Sequence, residues 1–335
     1  MDLSVKYMGL YLKNPIIVSS SDLTSSVENV KKCAEAGAGA VVLKSLFEEQ
    51  ILNEIDKYSS KGQYAFDQHP EATDYVQSLT RDHNIDEYLK LIEGAKKSVD
   101  IPVIASINCM TSREWPAFAA ELQAAGADAI ELNIGVFPFS EEKSSQQIEA
   151  QYVEILRAVK QHVKIPVAVK IGYYFSNIYQ IARQLDAAGA DAVVMFNRFY
   201  RPDIDIQNLN IFAGEILSTP SEMTQVLRWV GLLSGKVGCY LGASTGIHDG
   251  AGVIKQLLVG ADATMVCSKL YRKGFSYIGS MLTEIEAWME SHKFETIKDF
   301  QGKLAGVQAN TAEWERIQFI KKATGNAVKP LGSEW

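Results

Sequence analysis

The sequence has few cysteines, no long apolar run and no excess of positive charge, and each of these absences narrows its function. Its 335 residues include four cysteines, which lie far apart and form no Cys-x-x-Cys pair. This pattern predicts neither a disulfide framework nor a zinc or iron–sulfur site, so we expect no bound metal. No stretch approaches the roughly 20 consecutive apolar residues that a membrane-spanning helix needs.

The formal net charge of -7 argues against a nucleic acid or an anionic membrane as a partner, because both require clustered Lys and Arg. Small molecules are therefore the expected ligands. The first residues include the acidic Asp2 and no apolar segment of the kind that a signal peptide contains. We expect a cytoplasmic protein whose 47% of hydrophobic residues build one large core.

One short sequence pattern, in which small residues and glycine precede an apolar run, recurs four times along the chain. The copies begin at residues 36, 125, 188 and 260. Glycine can end a helix, small residues let a helix pack closely on a strand, and an uninterrupted apolar run suits a parallel strand covered on both faces. Each copy therefore predicts a helix end, a tight turn and a buried strand.

Four further apolar runs lie between these copies and bring the number of predicted strands to eight. They cover residues 15–19, 102–107, 166–171 and 237–241, and helical patterns cover residues 115–125, 148–162, 178–188 and 251–259. Eight alternating units predict an α/β fold, a single (β/α)8 barrel of the TIM-barrel type. A doubly wound sheet is the alternative.

The barrel is predicted to span residues 1–305. Residues 306–335 contain an amphipathic pattern and are predicted to form a C-terminal helical extension that packs on the barrel or on a partner subunit. Two connections, over residues 46–101 and 198–236, are longer than ordinary βα loops, and we expect them to form a lid over the substrate. Their most polar and aromatic parts are residues 58–70 and 200–206.

Polar residues follow almost every predicted strand, at the end of a barrel where chemistry takes place. Residues 241–247, Leu-Gly-Ala-Ser-Thr-Gly-Ile, are typical of a phosphate-binding turn, because small residues let backbone N–H groups approach an anion. Ser244, Thr245 and Ser268 add hydroxyl donors. A flavin mononucleotide suits this arrangement with Lys170 beside its ring, and a phosphorylated sugar bound to Lys170 or Lys44 as a Schiff base is the alternative.

Several motifs, in their order and spacing, resemble those of the dihydroorotate dehydrogenases. The motifs are residues 14–20 (Asn-Pro-Ile-Ile-Val-Ser-Ser), 42–45 (Val-Leu-Lys-Ser), 131–133 (Glu-Leu-Asn), 169–170 (Val-Lys), 243–247 (Ala-Ser-Thr-Gly-Ile) and 266–268 (Val-Cys-Ser). The resemblance extends from Leu3 to about residue 304. The chain most resembles the class 1 enzymes of this family and the flavin barrel domain of dihydropyrimidine dehydrogenase.

The resemblance implies an FMN-dependent oxidoreductase that oxidises dihydroorotate to orotate in pyrimidine biosynthesis. It assigns Ser20, Lys44, Ser45, Asn133 and Lys170 to the flavin ring and ribityl chain, and Thr245, Gly246, Cys267 and Ser268, together with Ser244, to the phosphate. Lys44, Asn133 and Asn197 match positions that also bind the pyrimidine. Class 1 relatives are dimers or larger assemblies, so we expect a homo-oligomer, with a dimer as the favoured state.

The chain departs from the family pattern at the residues that perform the proton transfer. The family's catalytic cysteine or serine aligns with Val136, and a substrate-binding asparagine aligns with Pro138. Cys109, after the third predicted strand, is the substitute base that we consider. Arg198, Tyr200 and Arg201 are interpreted either as ligands of an anionic substrate or as solvent-facing charges.

These departures leave two alternatives to dihydroorotate oxidation. One is a flavin oxidoreductase that acts on a different substrate, and the other is an FMN-binding protein that has lost its dehydrogenase activity. The sequence has no NAD-binding fingerprint, and it does not identify the electron acceptor.

Overall fold

Eight parallel strands form a closed barrel, as the repeated sequence pattern and the apolar runs predict. The computed structural model describes residues 1–47, 85–108, 115–136, 138–199, 201–306 and 314–315. The barrel strands are β1 (Ile16–Val18), β2 (Ala40–Val42), β3 (Val103–Asn108), β4 (Ala129–Asn133), β5 (Val167–Ile171), β6 (Ala192–Met195), β7 (Tyr240–Ser244) and β8 (Ala263–Val266). Each strand pairs with the next in parallel and β8 pairs with β1, so the sheet closes on itself.

Helices surround the barrel and cover the outer faces of the strands. The described helices are Val27–Glu35, residues 85–98, Trp115–Ala124, Ser145–Lys160, Ile178–Ala187, Met223–Leu233, Gly250–Leu258, Ser268–Lys273 and Tyr277–Ser291. Every residue of β4 and β5 is buried, as expected for strands packed on both faces. The (β/α)8 barrel is therefore confirmed, and closure of the sheet excludes the doubly wound alternative.

A hairpin near the N-terminus closes the bottom of the barrel. Its strands, Val5–Tyr7 and Leu10–Leu12, pair in antiparallel fashion. Tyr7 is fully buried, and its ring meets that of Tyr240, at the start of β7, edge to face at 6.1 Å. The Tyr7 ring therefore packs against the start of β7, at the end of the barrel opposite the carboxyl ends of the strands.

The seventh strand starts later than predicted. The apolar run at residues 237–241 suggested its position, but β7 covers Tyr240–Ser244. The N–H of Gly238 donates to the carboxylate of Asp186 at 2.8 Å, so the start of the run belongs to the connection. The strand consequently includes residues 241–244 of the segment predicted to bind phosphate, and the turn itself begins at Thr245.

The second predicted lid has more regular structure than the sequence suggested. A two-stranded hairpin, Pro202–Asp205 with Asn210–Ala213, is followed by the helix Met223–Leu233. The alternation Asp-Ile-Asp-Ile at residues 203–206 was the available signal for a strand. The other lid segment, residues 58–70, lies outside the described residues.

The predicted C-terminal extension is described only at residues 306, 314 and 315. The Trp314 ring packs on Gly231 of the helix Met223–Leu233, where a β-carbon would come within 3.2 Å of the indole. The boundary between residues 1–305 and 306–335 stays a prediction. None of the described helices is long and apolar enough to cross a membrane.

Candidate functional site

A cavity of about 700 Å³ lies at the carboxyl ends of the barrel strands. It brings together the predicted catalytic and cofactor-binding residues that the structure describes, whereas Arg201 lines an adjoining pocket. These are Ser20, Lys44, Ser45, Asn133, Lys170, Asn197, Ser244, Thr245, Gly246, Cys267 and Ser268. Cys109 and Tyr200 lie outside the described residues. The volume is within the range of about 300–1,000 Å³ that is usual for small-molecule sites.

Lys170, which lines this cavity, belongs to a buried ion pair with Glu131. The pairing of β4 with β5 places Glu131 opposite Ala168 and Asn133 opposite Lys170. The two polar residues of β4 and the lysine of β5 therefore face the barrel interior. The Lys170 Nζ lies 3.4 Å from the Glu131 Oε1 and 3.4 Å from the Ser19 Oγ. The side chains of Lys170 and Glu131 are only 7% and 1% exposed. Lys170 therefore presents its ammonium group at the floor of the cavity, with Glu131 as its buried counter-ion.

Two side-chain amides form a second polar feature beside this ion pair. The Asn197 Nδ2 donates to the Asn133 Oδ1 over 2.8 Å. Within the described residues, neither amide makes another side-chain hydrogen bond. The pair therefore offers the NH₂ group of Asn133 as a donor and the carbonyl oxygen of Asn197 as an acceptor. This combination suits the alternating N–H and C=O groups of a cyclic amide.

An extra residue in the barrel wall turns Lys44 and Ser45 towards the cavity. Val42 pairs with Ile104, and Leu46 pairs with Ile107. Between these two pairs the chain advances four residues on the side of β2 but only three residues along β3. The extra residue bulges out of the ladder, as in a β-bulge. The Ser45 N–H then donates to the Ser20 Oγ at 2.9 Å rather than to β3.

Tyr88, from the helix at residues 85–98, fills the gap that this bulge leaves. Its phenol oxygen accepts from the Ser106 N–H and donates to the Ser106 carbonyl, both at 2.9 Å. The Ser106 hydroxyl lies 2.7 Å from the Ser45 Oγ, which is 3.0 Å from the Ser20 Oγ. Tyr88 therefore replaces the missing ladder bonds below the chain of serines. No local pattern in the sequence indicates this role for Tyr88.

Lys44 has a carboxylate partner at the rim of the cavity. Its Nζ lies 2.5 Å from the Asp22 Oδ1, and the two side chains are 39% and 69% exposed. The Asp22 N–H donates to the Tyr271 hydroxyl at 3.1 Å, which fixes this loop against the helix Ser268–Lys273. The family motif predicts Lys44 as a ligand, whereas its pairing with Asp22 has no signal in the local sequence.

The predicted phosphate turn has the backbone geometry of an anion site. Thr245 and Gly246 have φ angles of 84° and 76°. A β-carbon on Gly246 would lie 2.3 Å from the Met223 backbone nitrogen, so only glycine fits there. Within the described part of the chain, the N–H groups of Gly246 and Ser268 have no hydrogen-bond acceptor. They are donors that a phosphate would satisfy.

A buried histidine, His248, supports this turn. His248 is 4% exposed, and its Nε2 lies 3.0 Å from the Ser218 Oγ. The Ser218 N–H in turn donates to the Ser268 Oγ at 2.9 Å, which leaves that hydroxyl able to donate to a ligand. Burial, together with Arg272 and Lys269, lowers the pKa of His248, so the ring favours its neutral form.

Cys267 lies in the same lining. Burial raises the pKa of its thiol above the ordinary value, against smaller opposing effects of Ser21 and Lys170. It therefore stays protonated at neutral pH and can act as a weak hydrogen-bond donor rather than as a nucleophile.

Arg198 holds a loop in place rather than facing solvent or an open anion site. Its Nε donates to the Glu222 Oε2 at 2.9 Å, and its terminal nitrogens donate to the carbonyls of residues 215–217. Burial opposes ionisation of Glu222, but hydrogen bonds from Arg198 and the Thr219 N–H outweigh it and hold the pKa of Glu222 below its ordinary value. Arg201 makes a longer contact of 3.7 Å with the same carboxylate.

Val136 and Pro138 line a different space. They border a neighbouring pocket of about 340 Å³ outside the barrel mouth, and the Val136 carbonyl accepts from the Tyr152 hydroxyl at 3.3 Å. Neither side chain can take up a proton. Alignment of Val136 with the family's catalytic residue stays a prediction. Within the described residues, no group of three His, Cys, Asp or Glu side chains could hold a metal ion.

The donor set fits a phosphorylated planar ring. The turns after β7 and β8 present backbone N–H donors and the Ser268 hydroxyl, the buried Lys170 supplies a positive charge, and the amide pair supplies groups for a second ligand. These are the functions that a flavin mononucleotide and a small substrate require of a barrel.

Comparisons with known proteins agree with this description. The family model for dihydroorotate dehydrogenase matches residues 77–289. The catalytic subunit of dihydroorotate dehydrogenase B (NAD(+)) from Thermoplasma volcanium is 28% identical, over 90% of this chain and 98% of that protein. The same subunit from Methanocella arvoryzae is 30% identical, over 78% and 85%. The chloroplastic dihydropyrimidine dehydrogenase (NADP(+)) of Arabidopsis thaliana is 22% identical, over 96% and 81%.

Fold and cavity thus define a (β/α)8 barrel with a cavity of ligand size at the carboxyl ends of its strands. The chain belongs to the dihydroorotate dehydrogenase family, and it is an oxidoreductase. The resemblance found in the motifs is confirmed.

Proposed function

We propose that this chain is an FMN-dependent oxidoreductase that acts on a carbon–carbon bond next to a carbonyl in a small pyrimidine-like ring. Dihydroorotate, which the family oxidises to orotate, is the reference substrate. The observation that carries the proposal is the common cavity, in which the Lys170–Glu131 pair, the Asn133–Asn197 pair and the phosphate turn lie together.

The chain's own residues would divide the binding of FMN between two ends of the cavity. Ser244, Thr245, Gly246, Cys267 and Ser268 would surround the phosphate. The ribityl chain and ring would contact the other predicted residues, which are Ser20, Lys44, Ser45, Asn133 and Lys170. The buried Lys170 ammonium would stabilise negative charge at the pyrimidine edge of the ring, because a charge acts strongly where water is excluded.

Lys44, Asn133 and Asn197 would hold the substrate ring. When bound, FMN supplies the hydride acceptor or donor. The amide pair would fix the orientation of the substrate through one donor and one acceptor, so that its reacting carbons face the cofactor. Cys109 is the candidate that we propose to remove the accompanying proton.

An anaerobic visible spectrum of the FMN-saturated protein, before and after L-dihydroorotate is added, tests this function. Loss of the oxidised flavin absorbance is the expected result. Lys170→Gln should weaken FMN binding and slow the bleaching, whereas the matched control Lys160→Gln should change neither, because Lys160 pairs with Asp191 outside the cavity. A protein that takes up no FMN would contradict the proposal.

A second candidate function is oxidoreduction of a different ring, and the non-ionisable Val136 and Pro138 favour it. Flavin that is bound but stays oxidised with dihydroorotate would support this candidate. The same spectrum should then be recorded with the reduced protein and unsaturated pyrimidines, where reoxidation identifies a substrate. Cys109→Ala should abolish reduction of the flavin by dihydroorotate in the first case and reoxidation of the flavin by the unsaturated pyrimidine in the second, while leaving FMN binding intact.

We also propose that the protein is a cytoplasmic homodimer, in which residues 306–335 pack on the barrel or on the second subunit. Light scattering of the full chain, compared with a chain that ends at residue 305, tests both statements. A dimer that becomes a monomer on truncation would place the extension at the interface, and a monomer in both samples would contradict the dimer.

A further inference from the structure

A tyrosine from the N-terminal hairpin reaches into the barrel interior, on the side of the Lys170–Glu131 pair that is away from the cavity. We propose that Tyr7 is a positioning residue for this pair. Its hydroxyl proton turns towards the Glu131 carboxylate and offsets part of that negative charge, which strengthens the positive field of Lys170 at the flavin ring. The inference rests on the proposed function, because it concerns the same bound FMN.

The hairpin fixes the point at which the phenol enters the barrel. Tyr7 pairs with Leu10, so only Met8 and Gly9 form the turn between the two strands. Both turn residues have positive φ angles, of 54° and 78°, as the tight two-residue turns of hairpins require. Tyr7 and Met8 are buried. The ring therefore has a defined position relative to the strands above it.

Small inward-facing residues make room for the phenol. The pairing of the strands places five of them on the inner face of the barrel, which are Ala129, Ala168, Ala192, Gly242 and Ala263. A β-carbon on Gly242 would lie 2.8 Å from the Tyr7 hydroxyl oxygen, so glycine permits this close approach. Gly242 lies opposite Val194, which lies opposite Lys170. The hydroxyl thus reaches the row of the sheet that contains Lys170.

The direction of the Tyr7 proton is set by nearby charges. Tyr7 is fully buried, and among the described residues its hydroxyl has no hydrogen-bond partner. A hydroxyl dipole in such a position orients in the field of the protein, which water screens little. Burial, then the charge of Glu131 and then that of Asp262, raises the pKa of Tyr7 well above its ordinary value. The proton therefore stays on the oxygen and faces Glu131.

This orientation matters for the cofactor because Glu131 and Lys170 act on the cavity with opposite signs. The Lys170 Nζ lies 3.4 Å from the Glu131 Oε1, and a carboxylate can accept further hydrogen bonds at its remaining lone pairs. A positive dipole end near Glu131 reduces the negative potential that this residue contributes at the cavity floor. The Lys170 ammonium then stabilises negative charge on the reduced flavin ring more effectively.

The reduction potential of bound FMN tests the inference. The unaltered protein and Tyr7→Phe, both saturated with FMN, are equilibrated anaerobically with a reference dye. Tyr7→Phe removes only the hydroxyl, and we expect the equilibrium constant for flavin reduction to fall about threefold, within the range of a single hydrogen bond. The free energy of unfolding of the FMN-free protein in urea should stay the same or rise, because the variant removes a buried polar atom that lacks a partner.

Tyr152→Phe is the matched control, because Tyr152 is also buried but its hydroxyl donates to the Val136 carbonyl outside the barrel mouth. It should leave the potential unchanged. Tyr7→Phe should also have no effect on the potential when Glu131→Leu and Lys170→Met are already present, since the carboxylate on which the hydroxyl acts is then gone.

Two results would overturn the inference and leave the proposed function standing. One is an unchanged potential in Tyr7→Phe, as expected if the tyrosine only fills space. The other is an equal shift in the protein that lacks the Lys170–Glu131 pair. An unaltered protein that takes up no FMN would overturn both the inference and the proposed function.

Discussion

Two lysines border the same cavity, and their surroundings differ in almost every respect. Lys170 is part of a strand, and its partner Glu131 is fixed on the neighbouring strand by the register of the barrel. Lys44 follows a bulge, and its partner Asp22 lies on the loop after β1. The side chains of the inner pair are at most 7% exposed, whereas those of the rim pair are 39% and 69% exposed.

The difference shows which part of the site can change without loss of the fold. A substitution at the inner pair leaves a buried charge without a partner, so the pair is tied to the stability of the barrel. The rim pair is screened by water, so Asp22 can alter the charge that a ligand meets at little cost to folding. We therefore expect cofactor binding to depend on the inner pair and substrate preference to depend on the rim.

The largest predicted effect is that of Glu131→Gln. The substitution removes the negative charge and leaves the buried Lys170 ammonium uncompensated, which should lower the free energy of unfolding by about 3–5 kcal/mol. Urea unfolding followed by circular dichroism measures the loss. FMN affinity should fall as well, because Lys170 is no longer held in place.

The double variant Glu131→Leu with Lys170→Met separates the two roles of this pair. Two apolar side chains of similar size can replace a buried ion pair with little loss of stability. The double variant should therefore unfold near the wild-type urea concentration and still bind FMN weakly. Full FMN affinity in the double variant would contradict the role proposed for Lys170.

The sequence predicts the barrel well and the details of its rim poorly. The eight strands were found because a parallel strand that is buried on both faces needs an uninterrupted apolar run, which local sequence displays. The same rule misplaced β7, since Val237 and Cys239 continue an apolar run that the backbone uses as a connection. The site residues were found from strand ends and from family motifs, and the structure places those it describes in one cavity.

What the sequence did not predict depends on residues far apart in the chain. The bulge at Lys44 and Ser45 follows from the register between β2 and β3, and Tyr88 reaches its gap from a separate helix. Likewise, Asp22 approaches Lys44 only after both loops have folded. Such pairings have no local pattern in the sequence.

The intermediate predicted effect is that of Tyr88→Phe, which tests how firmly the rim is attached to the barrel wall. Removing one hydroxyl leaves the buried N–H and C=O groups of Ser106 without their partner, which should cost about 2 kcal/mol in urea unfolding. Because Ser106 also contacts Ser45, FMN binding should weaken several-fold. Flavin fluorescence on titration with FMN measures this change.

Tyr152→Phe is the matched control for Tyr88→Phe. Tyr152 is also a buried tyrosine, but its hydroxyl makes one longer hydrogen bond, 3.3 Å to the Val136 carbonyl. Its loss should cost about 1 kcal/mol or less and leave FMN affinity unchanged. Equal losses of stability and equal FMN affinities in the two variants would show that Tyr88 has no specific role at the bulge.

The smallest predicted effect on stability is that of Asp22→Asn, and its smallness completes the comparison of the two pairs. The carboxylate and its Lys44 partner are both accessible to water, so the substitution should change the free energy of unfolding by less than about 1 kcal/mol. The asparagine retains the backbone bonds to Tyr271 and Ser25, which keeps the loop in place. Urea unfolding at low and at high salt provides the measurement. A loss as large as that of Glu131→Gln would mean that the rim pair also supports the barrel, and substrate preference could then not change there independently of the fold.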